Sequence, residues 1–107
     1  MRKLFVSQPM LGLSDEEILA ERKRTVALVE RVYGETFDLI DSFIVDVPTD
    51  ASPLYYLGRS LEKLAEADLA VFSNGWKGHR GCRIEYTACI EYGIEAVDLD
   101  DTEDTFK

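Results

Sequence analysis

Short β-type runs alternate with helical segments along this chain, and that alternation limits its fold more than any other feature. Lys3 to Ser7 is a β-branched and aromatic run stopped by Gln8-Pro9. Phe37 to Val47 carries apolar residues on both parities, Phe37, Leu39, Phe43 and Val45 against Ile40 and Ile44, as a strand covered on both faces does. Asp68 to Ser73 and Ile94 to Leu99 supply two more strands. Between them, Ser14-Asp15-Glu16-Glu17 has the form of a capping box. The helix it opens gathers Ile18, Leu19, Val26, Val29, Val32 and Tyr33 on one side, sets Glu21, Arg22, Lys23, Arg24 and Glu30 on the other, and stops at Gly34. A second helix is predicted from about Leu54 to Glu66, burying Leu57, Leu61, Leu64 and Ala65. A third runs from about Cys82 to Tyr92 and closes at Gly93. Strands separated by helices imply βαβ units. The expected fold is α/β, a flavodoxin- or Rossmann-like three-layer sandwich with a four-stranded parallel sheet and three main helices.

With 107 residues, 46% of them apolar, the chain can fill one core. We expect one domain over residues 1–99 and an acidic tail over 100–107, and Glu95, Asp98, Asp100, Asp101, Glu103 and Asp104 read as solvated carboxylates of this end of the chain. No apolar run approaches the roughly 20 residues that span a bilayer, and no signal-peptide core follows Met1. A cytoplasmic protein with no membrane partner is the expectation. Cys82 and Cys89 stand two helical turns apart, about 10 Å, too far for a disulfide, so both read as reduced core thiols. A net charge of −9 argues against binding polymeric nucleic acid, which needs many Lys and Arg contacts. Lys77, Arg80 and Arg83 still concentrate positive charge locally, enough for a small anion.

The chemistry concentrates in Gly75-Trp76-Lys77-Gly78-His79-Arg80-Gly81-Cys82-Arg83-Ile84-Glu85-Tyr86, a loop that leaves the carboxyl end of the third strand and enters a helix. Open α/β sheets bind ligands at that edge. Glu85 shares a helical face with Cys82, Ala88, Cys89 and Tyr92, so its carboxylate is expected among weakly polar neighbours, where it can act as nucleophile or base. In the first helical turn a Glu is also favoured by the dipole alone, as Glu17 is. Gly75, Gly78 and Gly81 let a backbone approach a ligand, although they match neither the dinucleotide fingerprint nor the phosphate loop. Arg80 and Arg83 are anion-binding candidates or plain surface charges. Trp76 stacks on a ring of the ligand or plugs the loop. His79 is the sole histidine, and no spacing suits a metal. Ser7, Gln8 and Pro9 end the first strand, and Ser7 and Gln8 can bond a sugar or base or merely cap the strand. Ser60, with Tyr55 and Tyr56, offers polar groups from the second helix. No cofactor is implied.

Phe5-Val6-Ser7-Gln8-Pro9-Met10, Glu66-Ala67-Asp68, Trp76, Arg80-Gly81-Cys82-Arg83-Ile84-Glu85-Tyr86 and Tyr92-Gly93-Ile94 together resemble the nucleoside 2-deoxyribosyltransferase superfamily, most closely its short bacterial and phage branch. The resemblance spans nearly the whole chain. It implies that Glu85 attacks the anomeric carbon of a nucleoside, that the base leaves with proton help, and that a second base or water resolves the glycosyl-enzyme. It also implies a homo-oligomer whose subunits complete one another's pockets. Where the transferases carry a first-strand tyrosine, this chain has Phe5, and their second-helix aspartate falls on Ser60. Their loop aspartate has only His79 or Arg80 near it.

Three functions are consistent with these features. The first is action on the N-glycosidic bond of a nucleoside or nucleotide, as a deoxyribosyltransferase or N-glycosidase. The second is a nucleotide-binding or signal-sequestering module with reduced catalysis. The third is an interaction protein that presents its Trp76 loop and acidic tail to partners.

Overall fold

The computed structural model describes residues 1–41 and 50–101. Four parallel strands form one sheet: β1 (Lys3–Ser7), β2 (Asp38–Leu39), β3 (Leu69–Phe72) and β4 (Glu95–Asp98), in the order β2-β1-β3-β4. Helices α1 (Asp15–Tyr33), α2 (Pro53–Leu64) and α3 (Arg80–Tyr92) cover it. The fold is the expected α/β sandwich. Much of the second predicted strand, and the tail from residue 102, lie outside the described residues.

Strand parity divides the core. Leu4, Val6, Leu69, Val71 and Val97 face α1 and pack on Leu28 and Val29, whereas Phe5, Ala70 and Phe72 face the opposite layer with Leu64 of α2 and Cys82 and Cys89 of α3. Burying each such aliphatic or aromatic side chain contributes about 1.5–3 kcal/mol. Ser7 shares the parity of Phe5, so its side chain is delivered to the α2–α3 side. This layering follows from right-handed crossovers: the chain moves one way from β1 to β2 and the other way from β2 through β3 to β4, so α1 takes one face alone.

Helix α1 begins with the anticipated capping box, Ser14 Oγ accepting from the Glu17 N–H at 3.1 Å, and ends on Gly34 with φ 67°. Its buried stripe is Ile18, Arg22, Thr25 and Leu28-Val29. Leu19, expected inside, is exposed, and Arg22, expected on the solvent side, is buried. A residue next to Ile18 turns about 100° away from the stripe, while Arg22, one turn on, faces Gln8 at the end of β1. Helix α2 buries only Leu64 completely; Leu57 and Leu61 are half-buried and Ala65 is exposed. Among the described residues no helix is long and apolar enough to cross a membrane.

Candidate functional site

The sheet order reverses between β1 and β3, whose carboxyl ends lie side by side through the pairing of Ser7 with Phe72. The chain leaves β1 toward one face and β3 toward the other, which opens a crevice at that edge. A hollow of about 400 Å³ occupies it. Its walls are the end of β1 from Phe5 to Met10, one side of α2 (Pro53, Tyr56, Leu57, Ser60), and His79, Gly81, Cys82 and Glu85 at the start of α3.

Glu85 is the centre of this hollow. Helix α3 starts at Arg80, two residues before the expected point, so Glu85 belongs to its second turn and no acidic residue occupies the first. The dipole preference for a first-turn carboxylate therefore does not explain it. The side chain is 6% exposed, and both oxygens are occupied: Ser7 Oγ donates to Oε1 at 2.7 Å and Ser60 Oγ donates to Oε2. Among the described residues no cation pairs with it. Burial pushes the carboxyl above its ordinary range, and the hydroxyls of Ser60 and then Ser7 offset part of that rise. A carboxylate has about four acceptor positions, so two hydroxyls leave capacity for a ligand. The neighbouring thiols are less reactive at neutral pH. Burial raises Cys82, and it raises Cys89 to about 11 with the charge of Glu85 adding to the effect.

The structure brings Ser7, Gln8, Pro9, Ser60, His79 and Gly81 together with Glu85 around the hollow. Gln8 is there in a supporting capacity. Its amide N–H donates to the Ile18 carbonyl and its oxygen accepts from Arg22 Nε, each at 3.0 Å. Burial lowers the pKa of the Arg22 guanidinium.

Gly75, Trp76, Arg80 and Arg83 do not line the hollow, contrary to expectation. Trp76 is a plug: it stacks on Tyr86 at 4.6 Å, tilts against Phe72 at 5.2 Å, and its indole N–H donates to Asp98 Oδ1 at 2.7 Å. Gly75 is needed for its φ of 85°, and its N–H donates to Asp100 Oδ1. Gly78 has open space where a side chain would be and makes no close approach. Arg80 and Arg83 are exposed, and Arg83 donates to the Lys77 carbonyl, because helical spacing turns both away from the face that carries Cys82 and Glu85.

The acidic segment also differs from a simple solvated end. Asp98 is buried, and Asp100 and Asp101 reach back to Gly75 and Lys77. Burial alone would raise Asp98, but the Trp76 indole, Asp101 and Lys77 outweigh it and hold the carboxyl below its ordinary range. Pro53, Tyr56 and Leu57 acquire a place in the wall that had not been assigned to them, apart from the minor candidacy of Tyr56. Their spacing with Ser60, three to four residues along α2, is the signal that groups them.

Among the described residues no three His, Cys, Asp or Glu side chains converge as a metal site. Compared with known proteins, the chain matches no protein-family model, and no curated protein matches it at a significant level. What fold and site define is an α/β domain with a buried, hydroxyl-held carboxylate at its topological switch point.

Proposed function

We propose that the hollow binds a nucleoside and that Glu85 attacks its anomeric carbon, breaking the N-glycosidic bond. The observation that carries this reading is the buried Glu85 carboxylate, held from both sides by Ser7 and Ser60 in a hollow large enough for a sugar and base. Binding sites for small molecules are commonly about 300–1,000 Å³. The resemblance to the 2-deoxyribosyltransferases guides the choice of substrate. In this reading the two serine hydroxyls aim one oxygen at the sugar, and desolvation strengthens the nucleophile.

A neutral nucleoside suits the hollow better than a nucleotide. Among the described residues that line it there is no Lys or Arg, and the loop arginines lie elsewhere. Apolar walls from Phe5, Pro9, Pro53 and Leu57 suit the faces of a base. Phe5, at the family's tyrosine position, offers a ring edge and no hydrogen bond. Leu54, Tyr55 and Tyr56 of α2 are exposed, and in this reading a second copy packs on them; a cytoplasmic setting would supply nucleosides.

The test is release of free base from a panel of 2-deoxynucleosides, ribonucleosides and their monophosphates. Wild type is expected to release base from a nucleoside, and Glu85→Gln to lose about 10³-fold or more of that rate. Equal release by both proteins would remove Glu85 from the reaction. Thermal stabilisation by nucleosides with no release from any of them would favour the binding module.

A further inference from the structure

Departure of a nucleobase leaves negative charge on a ring nitrogen, and a group in the hollow must supply a proton. Few candidates line the wall. Ser7 and Ser60 already donate to Glu85. Burial holds the Cys82 thiol above its ordinary range. Tyr56 is exposed to solvent at the wall, whereas His79 offers an imidazole, the side chain most often used in general acid–base catalysis.

His79 has unusual placement. It occupies the N-cap of α3, where Ser, Thr, Asp or Asn would stabilise the helix, yet its side chain makes no capping bond. Its main chain is fixed on both sides: its N–H donates to the Trp76 carbonyl and its carbonyl accepts from the Arg83 N–H, each at 3.0 Å. Trp76 is itself held by Asp98. The backbone is thus anchored while the half-buried ring stays at the wall of the hollow. A local rule broken without a local gain points to a functional demand. The six residues from His79 to Glu85 correspond to about 9 Å along a helix axis, which leaves room for a sugar at one end and a base edge at the other.

On the reading that Glu85 attacks a nucleoside, we infer that His79 is the acid that protonates the departing base and the base that then activates water. As a Glu85 oxygen bonds to the anomeric carbon, the carbon–nitrogen bond breaks with its electron pair going to the base. The His79 imidazolium gives that nitrogen its proton. Water then attacks the anomeric carbon and passes a proton to the neutral imidazole, and the ester bond returns its electron pair to Glu85. The titratable groups sharing the hollow with His79 are Glu85 and Cys82 from α3 and Tyr56 from α2; β1 brings none, and Lys77, Arg80 and Arg83 flank it in its own segment.

The experiment compares wild type with His79→Gln on 2-deoxyadenosine and on p-nitrophenyl 2-deoxyriboside, whose leaving group needs no proton. The variant is expected to lose about 10²-fold in the first, base-releasing step on the nucleoside, while the first-turnover burst of p-nitrophenol stays within about threefold of wild type; hydrolysis of the shared glycosyl-enzyme then slows on both substrates. Equal losses in the first step on both substrates, or none in that step on the nucleoside, would overturn the assignment. His79→Asn, with melting temperature measured for both variants, separates misfolding from lost acid catalysis. If wild type cleaves neither substrate, the Glu85 reading itself fails and this one with it; if wild type cleaves both and the variant matches it, only the His79 role fails.

Discussion

Ser7 and Glu85, 78 residues apart in the chain, share a 2.7 Å hydrogen bond at the edge of the sheet. Strand parity sends the Ser7 hydroxyl toward α3, and the second turn of α3 aims the Glu85 carboxylate back at it. With Ser60 approaching from α2, three separate elements hold one buried carboxyl group.

Removing either hydroxyl withdraws a group that favours the ionised carboxyl, so the pKa of Glu85 should climb further. A hydrogen bond to a charged group is worth about 1.5–3 kcal/mol, so losing one disfavours the ionised form. The acidic limb of base release is therefore expected to move to higher pH in Ser7→Ala and further in Ser60→Ala. Rate profiles from pH 4 to 8 check this; an unmoved limb would mean the hydroxyls do not tune Glu85.

Glu85 should also cost stability when charged. Its folded pKa lies above the ordinary 4.5, so the folded state holds the proton more tightly than the unfolded chain. Stability is then fully present below about 4.5 and declines as pH rises through the folded value. Each tenfold change in acidity corresponds to about 1.4 kcal/mol. Glu85→Gln is expected to melt higher than wild type at pH 7.5, with the advantage shrinking toward pH 4.

The Trp76–Asp98 bond makes the opposite prediction. Asp98 is held below its ordinary 3.8, so its contribution is present above that value and lost as pH falls through the lowered one. Asp98→Ala leaves the buried indole N–H without this partner, a loss of about 1–3 kcal/mol at neutral pH. A double-mutant cycle with Trp76→Phe should return a coupling energy of at least about 0.5 kcal/mol. Additive effects would show that the bond does not anchor the loop.

Gly81 separates stability from binding. A Cβ there meets nothing within 4 Å, and its φ is not in the left-handed region. Gly81→Ala should stabilise α3 by about 0.4–1 kcal/mol. Gly81→Leu should fold as well but weaken nucleoside binding by about tenfold or more, because the longer side chain enters the hollow. Arg80→Ala and Arg83→Ala, outside the wall, should change affinity by less than about twofold. Isothermal titration of the same nucleoside against all four variants decides between these outcomes.

Gln8 is expected to matter through structure. Gln8→Ala deletes its bonds to Ile18 and Arg22 and should cost about 1–3 kcal/mol in urea unfolding. The rate of base release per folded molecule should fall far less than in Glu85→Gln.

The sequence by itself determined the layers, because they rest on local signals. Alternation of strand and helix implied the parallel sheet, Ser14 and Glu17 marked the start of α1, Gly34 and Gly93 its end and that of α3, and the strand before the Trp76 loop located the sheet edge where the hollow lies. Glu85 was legible from its helical face. The tertiary structure alone decided which other side chains join it. Ser60 reaches Glu85 because α2 packs beside α3, Arg22 turns inward to bond Gln8 just past the neighbouring strand, and Trp76 is a plug held by Tyr86, Phe72 and the Asp98 carboxylate. Local spacing fixes a side chain's direction on its own element, whereas its partner depends on packing between elements distant in the chain.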